Sequence, residues 1–151
     1  MKPSDDFFSG SRYAIYGAKS RGRMQGDVLI AALAKAGKSA VAIQADGAAV
    51  KGAEVSRSLA ETGHVDGAVL LPPAPWDESA ADFTECAVRQ CRDQGITRVW
   101  IYTAGDASKA VSIAEKEGLD SVSGQCPCLY IQGSGFPHNF HRWIAKQLGK
   151  L

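Results

Sequence analysis

No apolar run in this 151-residue sequence approaches the roughly 20 residues that a membrane-spanning helix needs. The amino terminus, Met1-Lys2-Pro3-Ser4-Asp5-Asp6, lacks the hydrophobic centre of a signal peptide. Net charge is nearly absent too, at a formal +1, so no global field draws the chain toward nucleic acid or a membrane surface, and any cationic site must be local. Internal repeats, low-complexity tracts and interdomain linkers are missing. The expected compartment is the cytoplasm, where the four cysteines stay reduced. Cys86 and Cys91 lie on an expected helix at a spacing that points them to diverging faces, and they read as buried, inert thiols. Cys126 and Cys128 flank Pro127, but no second pair at matching spacing completes a zinc site.

What is present is the composition of one globular domain, with 45% hydrophobic and 22% charged residues. Short apolar segments alternate with helical patterns along it. Arg12-Tyr13-Ala14-Ile15-Tyr16 reads as a buried strand that stops at Gly17, followed by a helical stripe (Val28, Leu29, Ile30, Leu33) that stops at Gly37. Ser39–Gln44 reads as a second strand with no polar face, as expected of a parallel strand covered on both sides. Ser56–Thr62 reads as a short helix. Asp66–Leu71 is a third strand, ended by Pro72-Pro73-Ala74-Pro75, since a proline cluster cannot continue a ladder. Asp77 is placed to cap a helix that runs to about Gln94 and closes at Gly95. Ile96–Tyr102 and Leu119–Ser123 are the fourth and fifth strands, joined by a helix opened by Asp106 or Ser108 and closed at Gly118. An amphipathic helix is expected at about residues 139–149. The alternation predicts one α/β domain over residues 1–151, with its core at about 8–132. Its sheet is open, mainly parallel and five-stranded, with helices on both faces.

In such sheets a ligand sits outside the carboxyl ends of the strands, where strand order reverses. The segments richest in glycine, proline and cations fall there: Gly17–Arg23, Ala45–Lys51, Leu71–Pro75 and Thr103–Asp106, with the Gly124–Pro127 turn on the same rim. A strand, a glycine and a helix suit a phosphate, because the glycine lets the backbone approach and the helix start offers free N–H groups. Asp46, just past the second strand, leaves NAD open. The cations Lys19, Arg21, Arg23 and Lys51 exceed what one pyrophosphate requires and favour a ligand with a further ribose phosphate, as in NADP or coenzyme A.

Three stretches carry a family resemblance. Leu71-Pro72-Pro73-Ala74-Pro75-Trp76 resembles a Val-Pro-Ala-Pro-Phe loop. Ile101-Tyr102-Thr103-Ala104-Gly105 resembles a strand running into Thr-Glu-Gly, with Ala104 in place of the acid. Gly124-Gln125-Cys126-Pro127 resembles a Gly-Pro-Asn-Cys-Pro-Gly turn. Together they resemble the coenzyme A-binding domain family, as in the N-terminal domain of the succinyl-CoA synthetase alpha subunit, over roughly Phe8–Gln132. The resemblance implies a Rossmann-like fold that binds coenzyme A or an acyl-CoA. Gly17, Ala18, Lys19 and Ser20 would line its phosphates, with Arg21 and Arg23 in the same loop and Lys51 near the 3′-phosphate. Pro72, Pro73 and Ala74 would meet the adenosine or the start of the pantetheine arm, and Gly105, Cys126 and Pro127 would form the far wall.

The synthetases carry their phosphorylated histidine in a second domain. Here His64, His138 and His141 read as surface or packing residues, and no acid–base or nucleophile–base pair stands at the strand ends. The expected function is therefore non-catalytic binding of coenzyme A or an acyl-CoA, with a protein partner or homodimer open and no nucleic acid, membrane or metal. The alternatives are an NAD(P)-binding redox-sensing or dehydrogenase-like domain, and an interaction protein that keeps the fold without the ligand.

Overall fold

Strand β1 (Arg12–Tyr16) shows how the chain divides its core. Side chains alternate across a strand, and here both faces are apolar. Tyr13 and Ile15 join one buried cluster with Leu29, Leu33 and Trp100, while Ala14 and Tyr16 join a second with Val41, Leu70, Val88 and Ile101. A strand that buries both faces must lie inside a sheet with layers on each side. The computed structural model, which describes residues 6–19, 26–73, 75–103 and 107–131, has this arrangement.

The other strands are β2 (Ser39–Ile43), β3 (Glu54–Ser56), β4 (Gly67–Leu70), β5 (Arg98–Ile101) and β6 (Asp120–Ser123). Every pairing is parallel and the order is β3-β2-β1-β4-β5-β6. That is the order of the doubly wound dinucleotide folds, and it reverses between β1 and β4. Helix α1 (Gly26–Lys35) covers the first cluster through Leu29, Ile30, Ala32 and Leu33. Helices α2 (Glu78–Asp93) and α3 (Ser108–Lys116) cover the second through Ala87, Val88, Cys91, Ala110 and Ala114. On the first face an aromatic group completes the cover: the rings of Phe7 and Phe8 each lie 5.3 Å from that of Trp100, whose indole N–H donates to the Gln125 carbonyl at 2.9 Å. Tyr13 donates to the Phe7 carbonyl at 3.0 Å, and burial pushes its phenol up to about 12.

Local signals hold where expected. Asp77 accepts the Ala80 N–H at 3.0 Å and caps α2, and Gly37, Gly95 and Gly118 take positive φ after the helices. The sequence reading needs two corrections. Among the described residues the sheet has six strands rather than five, all of them parallel. The segment Ser56–Thr62 is not a helix: Ser56 ends β3, and a 3-10 turn at Leu59–Glu61 follows. A three-residue edge strand with half-exposed side chains has no apolar signature, and pairing with β2 creates it. Helix α3 begins at Ser108, one of the two openers expected, with Ala107 in the cap position. Asp106 and residues 139–149 lie outside the described residues.

Candidate functional site

Because all six strands run in parallel, the loops after β1, β2, β3, β4, β5 and β6 share one rim. Past β1, Gly17 takes φ +83°, a left-handed turn that a side chain would strain. Ala18 is buried directly behind it. The chain then returns to the same place. A Cβ added to Gly26, the first residue of α1, would come within 2.4 Å of the Ala18 Cα and carbonyl oxygen. Helix α1 therefore starts against the backbone that leaves β1, as close packing of helix and strand requires in nucleotide-binding folds.

Beside this turn lies a cavity of about 490 Å³, inside the usual range for small-molecule sites. Tyr16, Gly17 and Lys19 supply one side, Ile43, Gln44, Ala45 and Asp46 the end of β2, and Phe83, Cys86, Ala87 and Gln90 the wall from α2. Arg57, the residue after β3, closes the group. Its guanidinium donates to the Ala45 carbonyl at 3.1 Å, which ties the loops after β2 and β3 together and leaves other donors of the five for a ligand. The walls are largely apolar and the rim is cationic. Asp46 accepts the Ala48 N–H at 2.9 Å, an acid holding its own turn. One polar pair interrupts the apolar walls: Tyr16 donates to Gln90 Oε1 at 2.7 Å, and burial pushes the Tyr16 phenol far above its ordinary value.

Of the residues singled out from sequence, Gly17 and Lys19 meet in this cavity, with Ala18 packed behind them. Lys51 does not line it. It borders a separate depression of about 280 Å³ with Asp27, Ile30, Ala31, Ala34 and Gly52, along α1. Pro72 is buried and Pro73 half-buried just past β4, on the far side of β1 from β2. Cys126 and Pro127 are buried after β6, where the Pro127–Leu129 turn packs back on α1. Ser20, Arg21, Arg23, Ala74 and Gly105 lie outside the described residues.

Sequence reasoning passed over Arg57, Phe83, Gln90 and Gly26. Arg57 was hidden with β3, since a residue that follows an unrecognised strand has no rim to belong to. The two helical cysteines also part company. Cys91 is buried, and burial pushes its thiol up to about 12, whereas Cys86 is exposed and lines the cavity. The reading of both as buried thiols is corrected for Cys86, because periodicity separates two faces without saying which one a cavity uses.

Known structures share this architecture. A conserved hypothetical protein from Pyrococcus furiosus superposes with a TM-score of 0.62 at 18% identity, over 80% of this chain and 98% of its own. A hypothetical protein from Pyrococcus horikoshii gives 0.61 at 17% identity, over 83% and 84%. A protein from Thermus thermophilus gives 0.60 at 16% identity, over 95% and 99%. At such identities these likenesses establish the fold alone. None of the curated proteins matches the chain. Residues 11–132 match the family model described as "CoA binding domain", and the chain belongs to that CoA-binding domain family.

Proposed function

We propose that the protein is a non-catalytic module that holds coenzyme A or an acyl-CoA across the carboxyl ends of its strands. The observation that carries this reading is the cavity beside Gly17, where two cations from separate loops, Lys19 and Arg57, rim apolar walls. Phosphates suit the cations as charge-assisted partners, and an adenine ring suits the surface of Ile43 and Phe83. Pro72, Pro73 and Cys126-Pro127, past β4 and β6, would border the pantetheine arm.

The absence of turnover rests on the groups at hand. Cys126 is 1% exposed. The Cys128 thiol beside it is held well above its ordinary value by its hydrogen bond with Cys126 and by burial. Among the described residues of the cavity no histidine stands near Asp46 or Cys86 to make an acid–base or nucleophile–base pair. Incubation with acetyl-CoA should therefore leave the protein unmodified by mass spectrometry, and an acyl adduct on Cys126 that disappears in Cys126→Ser would overturn this part.

Asp46 supports a second reading, because an acid past β2 is where a nicotinamide dinucleotide places its ribose diol. Melting temperatures with coenzyme A, acetyl-CoA, NAD, NADP and ATP at equal concentration separate the two, since a ligand that binds only the native state raises stability by mass action. The largest shift is expected for coenzyme A or acetyl-CoA. A larger shift with NAD would overturn the reading.

A further inference from the structure

The inner wall of the cavity carries a side-chain amide whose two ends can be told apart. Gln90 is half-buried on α2, and its Oε1 lies 3.1 Å from the backbone N–H of Leu59 and 2.7 Å from the Tyr16 hydroxyl. A backbone N–H can only donate, so the atom it meets must be the amide oxygen and not the amide nitrogen. This contact removes the usual ambiguity of a glutamine amide. The Tyr16 hydroxyl, kept neutral by burial, donates to the same oxygen. Both acceptor sites of Oε1 are then used, and Nε2 must sit on the other side. It lies there 3.4 Å from Cys86 Sγ, a residue exposed to the cavity. Of the two Nε2 protons, one is directed to this sulfur, a weak acceptor, and the other has no partner among the described residues.

We infer that Gln90 is a specificity-determining residue: its amide, locked by Tyr16 and by the Leu59 N–H, offers the ligand a donor and no acceptor, and so selects a base that presents a ring nitrogen acceptor. This inference rests on the proposed binding of coenzyme A and names the residue that reads its base. The locking matters as much as the amide. A free glutamine turns either end to the ligand and discriminates nothing, whereas one anchored by a backbone donor cannot turn without leaving the Leu59 N–H unpaired in a half-buried site. Three separate segments build the device, since Tyr16 ends β1, Leu59 follows β3 and Gln90 lies on α2.

The test uses adenosine 3′,5′-bisphosphate and its 1-, 3- and 7-deaza analogues, each of which replaces one ring nitrogen by C–H, with affinities from calorimetry. One analogue should bind the unaltered protein roughly five- to tenfold more weakly than the parent nucleotide, the worth of one hydrogen bond. Gln90→Met, which keeps the length and removes the donor, should bind that analogue and the parent equally. Gln90→Glu keeps the two acceptor bonds to Tyr16 and Leu59 while losing the donor. It should erase the same preference even if Gln90→Met folds poorly. If the protein binds the parent nucleotide and no deaza analogue is disfavoured, or the preference survives in Gln90→Glu, the assignment of Gln90 is wrong. If the unaltered protein binds neither the bisphosphate nor coenzyme A, the proposed function itself fails.

Discussion

At the amino edge of the sheet, Asp66 accepts the backbone N–H groups of Ser11 at 2.7 Å and Arg12 at 3.0 Å, joining the starts of β1 and β4. Gly10 is so close to it that an added Cβ would come within 2.5 Å of the carboxylate side chain. Arg12 reaches onward to the carbonyls of Thr62 and His64 and to Glu54 of β3. At the carboxyl edge the polar groups are arranged differently. Lys19 and Arg57 stand at a cavity mouth, and one Arg57 contact, to the Ala45 carbonyl, is internal. One edge spends its charges on its own backbone, and the other keeps them turned toward a space. The lesson is that charge alone does not mark a binding edge. The proposed binding edge is set apart by charge that the fold has not already used.

The largest change should come from Gly26→Ala, which drives a Cβ into the backbone of Ala18 where no flexible side chain can yield. We expect a loss of about 3 kcal/mol in stability, at the upper end for overpacking, together with the largest drop in coenzyme A affinity. Chemical denaturation and calorimetry check both, and unchanged binding would detach the cavity from the packing of α1 on β1.

Asp66→Ala tests the opposite edge. Two bonds to a carboxylate that is largely solvated should cost about 1–2 kcal/mol of stability after screening, with no change in coenzyme A affinity. These bonds hold the Asp66 carboxyl below its ordinary range. A carboxyl depressed in the folded state stabilises fully above its unfolded pKa, and that contribution is lost as pH falls through the folded value. The stability gap between the parent and Asp66→Ala should therefore be constant near neutrality and close as pH drops below the ordinary carboxylate range. A gap that widens in acid would reverse the assignment.

The cations of the proposed binding edge should behave in the mirror sense. Lys19→Ala and Arg57→Ala are expected to weaken coenzyme A by about 1–2 kcal/mol each, roughly five- to thirtyfold, with the melting temperature of the free protein nearly unchanged for Lys19→Ala and slightly lowered for Arg57→Ala, which loses its bond to the Ala45 carbonyl. Lys51→Ala, in the separate depression along α1, is expected to change binding least, by about 0.5 kcal/mol or less. A Lys51 effect equal to that of Arg57 would mean that the ligand reaches round the β2 loop, and would move the phosphate site.

Much of the carboxyl rim was legible because each strand announces its own end. Tyr16 followed by Gly17, Leu71 by the prolines, and Asp77 ahead of α2 are signals within a few residues of the feature they specify. The additional strand, β3, was not legible, since Glu54-Val55-Ser56 becomes a strand only through its bonds to β2, as when the Gln44 N–H donates to the Ser56 carbonyl at 2.8 Å. Arg57 went with it. Gly26 reads as an ordinary helix start until Ala18 is found against it.

By itself the sequence determined the alternation of strands and helices, their caps, the covering of the strands on both faces and the family to which residues 11–132 belong. Those properties depend on neighbours along the chain, where periodicity and capping act. The tertiary structure alone decided which cations share a cavity, which of two helical cysteines faces it, and which end of Gln90 points inward. Each of these depends on a partner brought from another element, as Leu59 N–H is brought to Gln90 across 31 positions of sequence. Such contacts carry no local pattern, because they are created by the parallel sheet that sets the ends of its strands side by side.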